Sequence, residues 1–116
     1  MATILVVDDK EFRRQEIKDL LQKNGYEVIT IPRAHDATWA FMDNHFCIDL
    51  VLTDTNMPEV SGIELAECIR EEISKTIPII GMSKREENRQ FYEHFWLKSE
   101  PPEILIGLIK KLTAQK

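Results

Sequence analysis

Five short runs narrow what this chain can fold into: TILVVD (3–8), YEVITI (26–31), DLVLTD (49–54), IPIIGM (77–82) and HFWL (94–97). Each is apolar or β-branched, and none alternates apolar with polar residues at a period of two. Strands buried on both faces read this way, as in a parallel sheet covered by helices. Helical spacing fills the intervals. In 11–24, Ile17, Leu20, Leu21 and Asn24 form a stripe, and Gly25 is a stop signal. Residues 33–45 set Ala34, Ala37, Phe41 and Met42 on one face. In 61–74, Leu65, Ala66, Ile69 and Ile73 do the same, with Ser61 as N-cap. In 102–114 the stripe is Leu105, Leu108, Ile109 and Leu112, and Pro102 suits a first turn. The order is β-α-β-α-β-α-β-?-β-α. Right-handed crossovers then predict an α/β fold, a doubly wound five-stranded parallel sheet with helices on both faces.

The 116 residues suit a single domain, 1–116, with one substantial core. A net charge of −5 argues against direct nucleic-acid binding, which calls for clustered basic charge. No apolar stretch approaches the ~20 residues of a membrane span. The start, MATILVVDDK, is apolar too briefly for a signal peptide. Cys47 and Cys68 match no metal spacing and read as buried small residues of a chain in the reducing cytoplasm. His35, His45 and His94 show no ligand spacing and read as surface or helix-end residues. Trp39 and Phe41 read as packing residues; Glu71, Glu72 and Lys75 read as a solvated face.

In a doubly wound sheet, ligands bind outside the carboxyl ends of the strands, at the switch point of strand order. The first strand run ends in Asp8 and Asp9, the third in Asp54, the fourth is followed by Ser83 and the fifth by Lys98. Three carboxylates close together repel unless a cation sits among them. Mg²⁺ takes hard oxygen ligands and is typically held by one or two carboxylates plus a phosphate. Lys98 could balance a phosphate and Ser83 could donate a hydrogen bond to it. The set reads as a Mg²⁺-assisted phosphoryl site with an Asp as nucleophile. Taken singly, Asp8-Asp9 could cap a helix, Asp54 open a turn, Ser83 cap a turn and Lys98 be a solvated charge. Their joint placement at successive strand ends favours the site.

With ILVVDDK, VLTDTNMPEVSG, IPIIGMS and FWLK in this order, the chain resembles the receiver domain of two-component response regulators, of the chemotaxis-regulator type. The resemblance implies a flavodoxin-like strand order 2-1-3-4-5. It implies a phosphorylation-dependent switch in a bacterial cytoplasm, with Asp54 as phosphoacceptor from a histidine kinase or phosphotransfer protein of a phosphorelay. Asp8, Asp9, Asp54 and the backbone carbonyl of Asn56 would bind Mg²⁺. Ser83 and Lys98 would meet the phosphoryl group, and Phe95 would be the aromatic that changes rotamer. Met57, Pro58 and Gly62 match the loop after the phosphoacceptor. Thr55 and Lys84 fall where the family tunes phosphoryl lifetime. The only chemistry implied is self-phosphotransfer and autodephosphorylation, with partner binding as output.

Two departures from the family stand out. Only fourteen residues separate Ser83 from Lys98, fewer than a full fourth helix and its loops need. The fourth helix is therefore expected to be short or irregular, with Phe91 and Tyr92 plugging its gap rather than forming an exposed patch. The family's Lys-Pro is here Lys98-Ser99. A non-proline cis bond costs ~2.5–4 kcal/mol, so a trans bond is expected. These departures support an alternative, a pseudo-receiver that acts as a phosphorylation-independent interaction module. A haloacid-dehalogenase-type phosphatase would want an acid where Asn56 stands. A flavin-binding module would want a phosphate-cradling loop after the first strand.

Overall fold

The computed structural model describes residues 2–43, 47–55, 61–85 and 89–114. Strands β1 (Thr3–Val7), β2 (Glu27–Ile31), β3 (Leu50–Asp54), β4 (Ile79–Ser83) and β5 (His94–Leu97) form one parallel sheet in the order β2-β1-β3-β4-β5. Helices α1 (Glu11–Lys23), α2 (Ala37–Asp43), α3 (Gly62–Cys68) and α4 (Pro102–Thr113) surround it. A short 3₁₀ turn, Ala34–Asp36, leads into α2, and α3 continues as a wider π turn over Ile69–Ile73. The expected fold class holds, including the strand order.

Helix boundaries follow local chemistry. The Ser61 side chain accepts the Glu64 amide proton at 3.2 Å, so α3 begins where expected. Pro102 opens α4. Gly25, at φ +90°, takes the left-handed turn that ends α1 at little steric cost. Asn24 does not extend the apolar stripe: it caps the helix, donating from Nδ2 to the Leu20 carbonyl.

The sheet separates two cores. On one face Ile4, Val6, Leu50, Leu52, Ile80 and Met82 pack with Ile17, Leu21, Leu105 and Ile109 from α1 and α4. On the other, Leu5, Val7, Val51 and Ile79 pack with Ala37, Phe41, Leu65 and Ile69 from α2 and α3. Burial of each of the larger side chains contributes about 1.5–3 kcal/mol. Trp39 and Met42 depart from expectation, with 65% and 53% of their surfaces exposed. Among the described side chains of α2, Ala37, Ala40 and Phe41 form the buried edge, which leaves Trp39 and Met42 on the outer side. Cys47 is exposed rather than buried, just ahead of β3, and Cys68 is intermediate. His45 lies outside the described residues.

Between β4 and β5, the described residues contain no α-helix, only a 3₁₀ turn at Arg89–Phe91. Tyr92 covers the sheet there. A Cβ at Gly81 would lie 2.6–2.8 Å from the Tyr92 ring, and one at Gly62 would lie 2.7 Å from its Oη. Tyr92 therefore plugs the gap, as expected, and two glycines make room for it. The Phe91 side chain falls outside the description. Gly81→Ala should destabilise the fold by about 1–3 kcal/mol through overpacking. The additional change Tyr92→Leu should recover most of that loss in urea unfolding.

Candidate functional site

Sheet register brings the polar residues together. Val7 pairs with Thr53, Asp54 with Met82, and Ser83 with Leu97. Asp8, Asp54, Ser83 and Lys98 thus stand along one carboxyl edge. The strand order reverses between β1 and β3, where doubly wound sheets bind ligands. Asp8, Asp54 and Ser83 are buried. Asp9 is half-buried, and its Oδ1 is buried without a hydrogen-bond partner among the described residues.

Lys98 joins the carboxylates. Its Nζ lies 3.5 Å from Asp8 Oδ2 and 3.4 Å from Asp54 Oδ2, and its side chain is only 7% exposed. Removing the ammonium would leave charged groups with little water to solvate them. All described peptide bonds are trans, Lys98–Ser99 included. The turn is held by the Lys98 amide donating to the Ser83 carbonyl at 2.8 Å. The Leu97 amide donates to Glu100 Oε1 at 2.9 Å, which steadies the loop after β5 without proline.

Asp8 Oδ1 accepts the Lys10 amide proton at 3.0 Å, just before α1, but no side chain caps the first turn of that helix, so Asp8 is not its cap. Arg14 Nη1 donates to the Asp8 carbonyl at 2.8 Å. One carboxylate oxygen each from Asp8, Asp9 and Asp54 lies within 4.8 Å of the other two. Such a cluster, with an unsatisfied oxygen on Asp9, fits a hard divalent cation. Asn56, Met57 and Pro58 lie outside the described residues.

Ser83 Oγ accepts the Arg85 amide proton at 3.3 Å, which leaves its own proton available to donate. Thr55 is buried with Oγ1 unpartnered among the described residues, and Lys84 is exposed. Phe95 is buried, with its ring 6.0 Å from that of Tyr92 and the Arg89 guanidinium 5.8 Å above it.

Residue reasoning placed Tyr92 in a gap but missed its closeness to the site. Burial, and then the charge of Asp54, push its phenol well above the ordinary tyrosine range. Its Oη is buried without a partner among the described residues. The pair of glycines at 62 and 81 was the only signal in the sequence. Tyr92→Phe removes an unsatisfied hydroxyl and should raise stability by about 1 kcal/mol in urea unfolding.

An edge of this kind on this sheet order defines a class, the two-component signalling receivers. The model of the response regulator receiver domain matches residues 4–98, and the chain belongs to that family. Over 80 residues, 69% of its length, the chain is 40% identical to the sensor histidine kinase RcsC of Escherichia coli (strain K12), spanning 8% of that protein. Over 85 residues, 72% of its length, it is 40% identical to the two-component response regulator-like PRR37 of Oryza sativa subsp. indica, spanning 11% of it. These relatives are thus many times longer than the matched part, and they come from a bacterium and a plant. The response regulator TrrA of Thermotoga maritima, solved in complex with Mg²⁺–BeF, superposes with a TM-score of 0.88 at 33% identity, covering 97% of this chain and 99% of that one. TrrA has also been solved in complex with the histidine kinase ThkA.

No helix among the described residues is long and apolar enough to cross a membrane.

Proposed function

We propose that this receiver domain is a phosphorylation-dependent switch with Asp54 as its phosphoacceptor. An Asp54 carboxylate oxygen bonds to the phosphorus of a phosphohistidine on a kinase or phosphotransfer protein. The P–N bond breaks, its electron pair stays on the imidazole nitrogen with a proton, and an acyl phosphate forms. The observation that carries this reading is the buried Lys98 ammonium, 3.4 Å from Asp54 Oδ2. A phosphoryl group on Asp54 arrives beside a cation already in place, which lowers the energy of the transferring charge. TrrA's complex with a histidine kinase supports the choice of donor.

Asp8, Asp9 and Asp54 would hold Mg²⁺, together with the Asn56 carbonyl by family resemblance. When bound, the ion neutralises phosphoryl oxygens. The Ser83 hydroxyl donates to one of these oxygens. Phe95, whose ring packs 6.0 Å from that of Tyr92, reports the new charge as a shift between two packings. Thr55 and Lys84 bracket the site and set how readily water reaches the acyl phosphate, whose hydrolysis resets the switch. A cytoplasmic setting and a protein partner for the output complete the reading.

Beryllofluoride with Mg²⁺ tests it. The mimic should alter the fluorescence of Trp96, the buried neighbour of Phe95, and only when Mg²⁺ is present. If the chain neither binds Mg²⁺ nor responds to the mimic, it is a pseudo-receiver.

A further inference from the structure

A doubly wound sheet joins parallel neighbours by crossovers that normally include a helix. The β4–β5 crossover has, among the described residues, only the 3₁₀ turn Arg89–Phe91. Beside it lies a groove of about 280 Å³. One wall is a single face of α3 and its π continuation: Ile63, Ala66, Glu67, Arg70 and Glu71, at helical spacing i, i+3, i+4, i+7 and i+8. The floor is Ile79 and Tyr92, and Glu93 closes the far side.

We propose that this groove receives a basic amphipathic helix of a partner protein, standing beside the β4–β5 crossover, where the described residues contain no α-helix. Three observations choose the occupant. The first is size: the groove falls just below the roughly 300–1,000 Å³ of small-molecule pockets, and it suits a few side chains from a helix laid along it. The second is shape: Ala66 is the small residue at the middle of the wall, so a second helix can approach α3 closely. The third is charge. Glu67, Glu71 and Glu93 are exposed on the rim and have no ion-pair partner among the described residues. The only rim cation among the described residues, Arg70, is half-buried and donates to the Ser74 carbonyl at 3.4 Å. An acidic rim around an apolar floor selects lysine or arginine flanking an apolar stripe.

The surface lies on the α3 side of the sheet, and its floor reaches the site. Tyr92 Oη sits against Gly62, whose amide donates to the Thr55 carbonyl at 3.3 Å.

The test uses the unphosphorylated chain, so its outcome is separate from that of the phosphoryl switch. Two designed helical peptides share one leucine stripe; one has lysines on its flanks, the other glutamates. The lysine peptide should bind at least about tenfold tighter. Amide shifts should cluster at Ile63, Ala66, Arg70, Ile79 and Tyr92. Glu67→Lys combined with Glu71→Lys changes only exposed residues, so the melting temperature should hold while the tenfold preference disappears. Equal affinity for both peptides, shifts centred elsewhere, or failure of the lysine peptide to bind would overturn the proposal. So would concentration-dependent dimerisation that buries Tyr92, which would make the occupant a second copy.

Discussion

Asp54→Asn should leave a folded chain that takes up no phosphoryl group from acetyl phosphate and Mg²⁺. The amide has almost the same shape as the carboxylate, and its carbonyl oxygen carries no charge with which to attack phosphorus. The backbone around it stays tied, because Thr53 Oγ1 donates to the residue-54 carbonyl whatever the side chain. Lys98 keeps a partner in Asp8, 3.5 Å away. The loss should therefore appear in chemistry rather than in folding. Intact-mass measurement should show labelling reduced by about a thousandfold or more, as expected when a nucleophile is removed. Phosphorylation at the wild-type level would move the acceptor to another residue.

Lys98→Met should have the largest effect on stability. Methionine fills much of the space of the lysine stem but carries no charge. It leaves Asp8, fully buried, and Asp54, whose side chain is 10% exposed, without their cation. Breaking a buried pair by removing one partner costs about 3–5 kcal/mol, against a total stability of about 5–15 for a domain. Urea unfolding should show that loss, and Mg²⁺ should restore part of it. A ligand that binds only the folded state adds about 2.7 kcal/mol at a hundred times its dissociation constant. Lys98→Arg, which keeps the charge, should lose less. An unchanged unfolding midpoint for Lys98→Met would mean that the lysine does not hold the acids together.

All five strands were legible because a strand buried on both faces leaves a continuous apolar run, a signal that survives without neighbours. Asp8, Asp54, Ser83 and Lys98 were legible for a related reason: parallel strands in register bring their carboxyl ends to one edge. Side chains whose surroundings depend on how an element is turned against the sheet were not. Trp39 has the composition of a core residue, yet it points away from the sheet because α2 rests on its alanine and phenylalanine edge. The α3 stripe predicts a helix through residue 74, but it does not reveal that the last turn widens from Ile69. The shortened crossover could be counted from the fourteen residues between Ser83 and Lys98. Its consequence, a tyrosine seated on two glycines beside Asp54, depends on contacts across separate elements that no local pattern encodes.

The ion pair between Lys98 and Asp8 joins residues 90 positions apart. Closing so long a loop is unfavourable until most of the intervening sheet has formed, and such contacts slow folding and assemble last. During synthesis the acidic cluster emerges with β1 and β3, while its cation arrives only when β5 docks on β4. A chain interrupted before β5 therefore carries Asp8 and Asp54 without their balancing charge. Completion of the sheet and assembly of the charged cluster coincide in time.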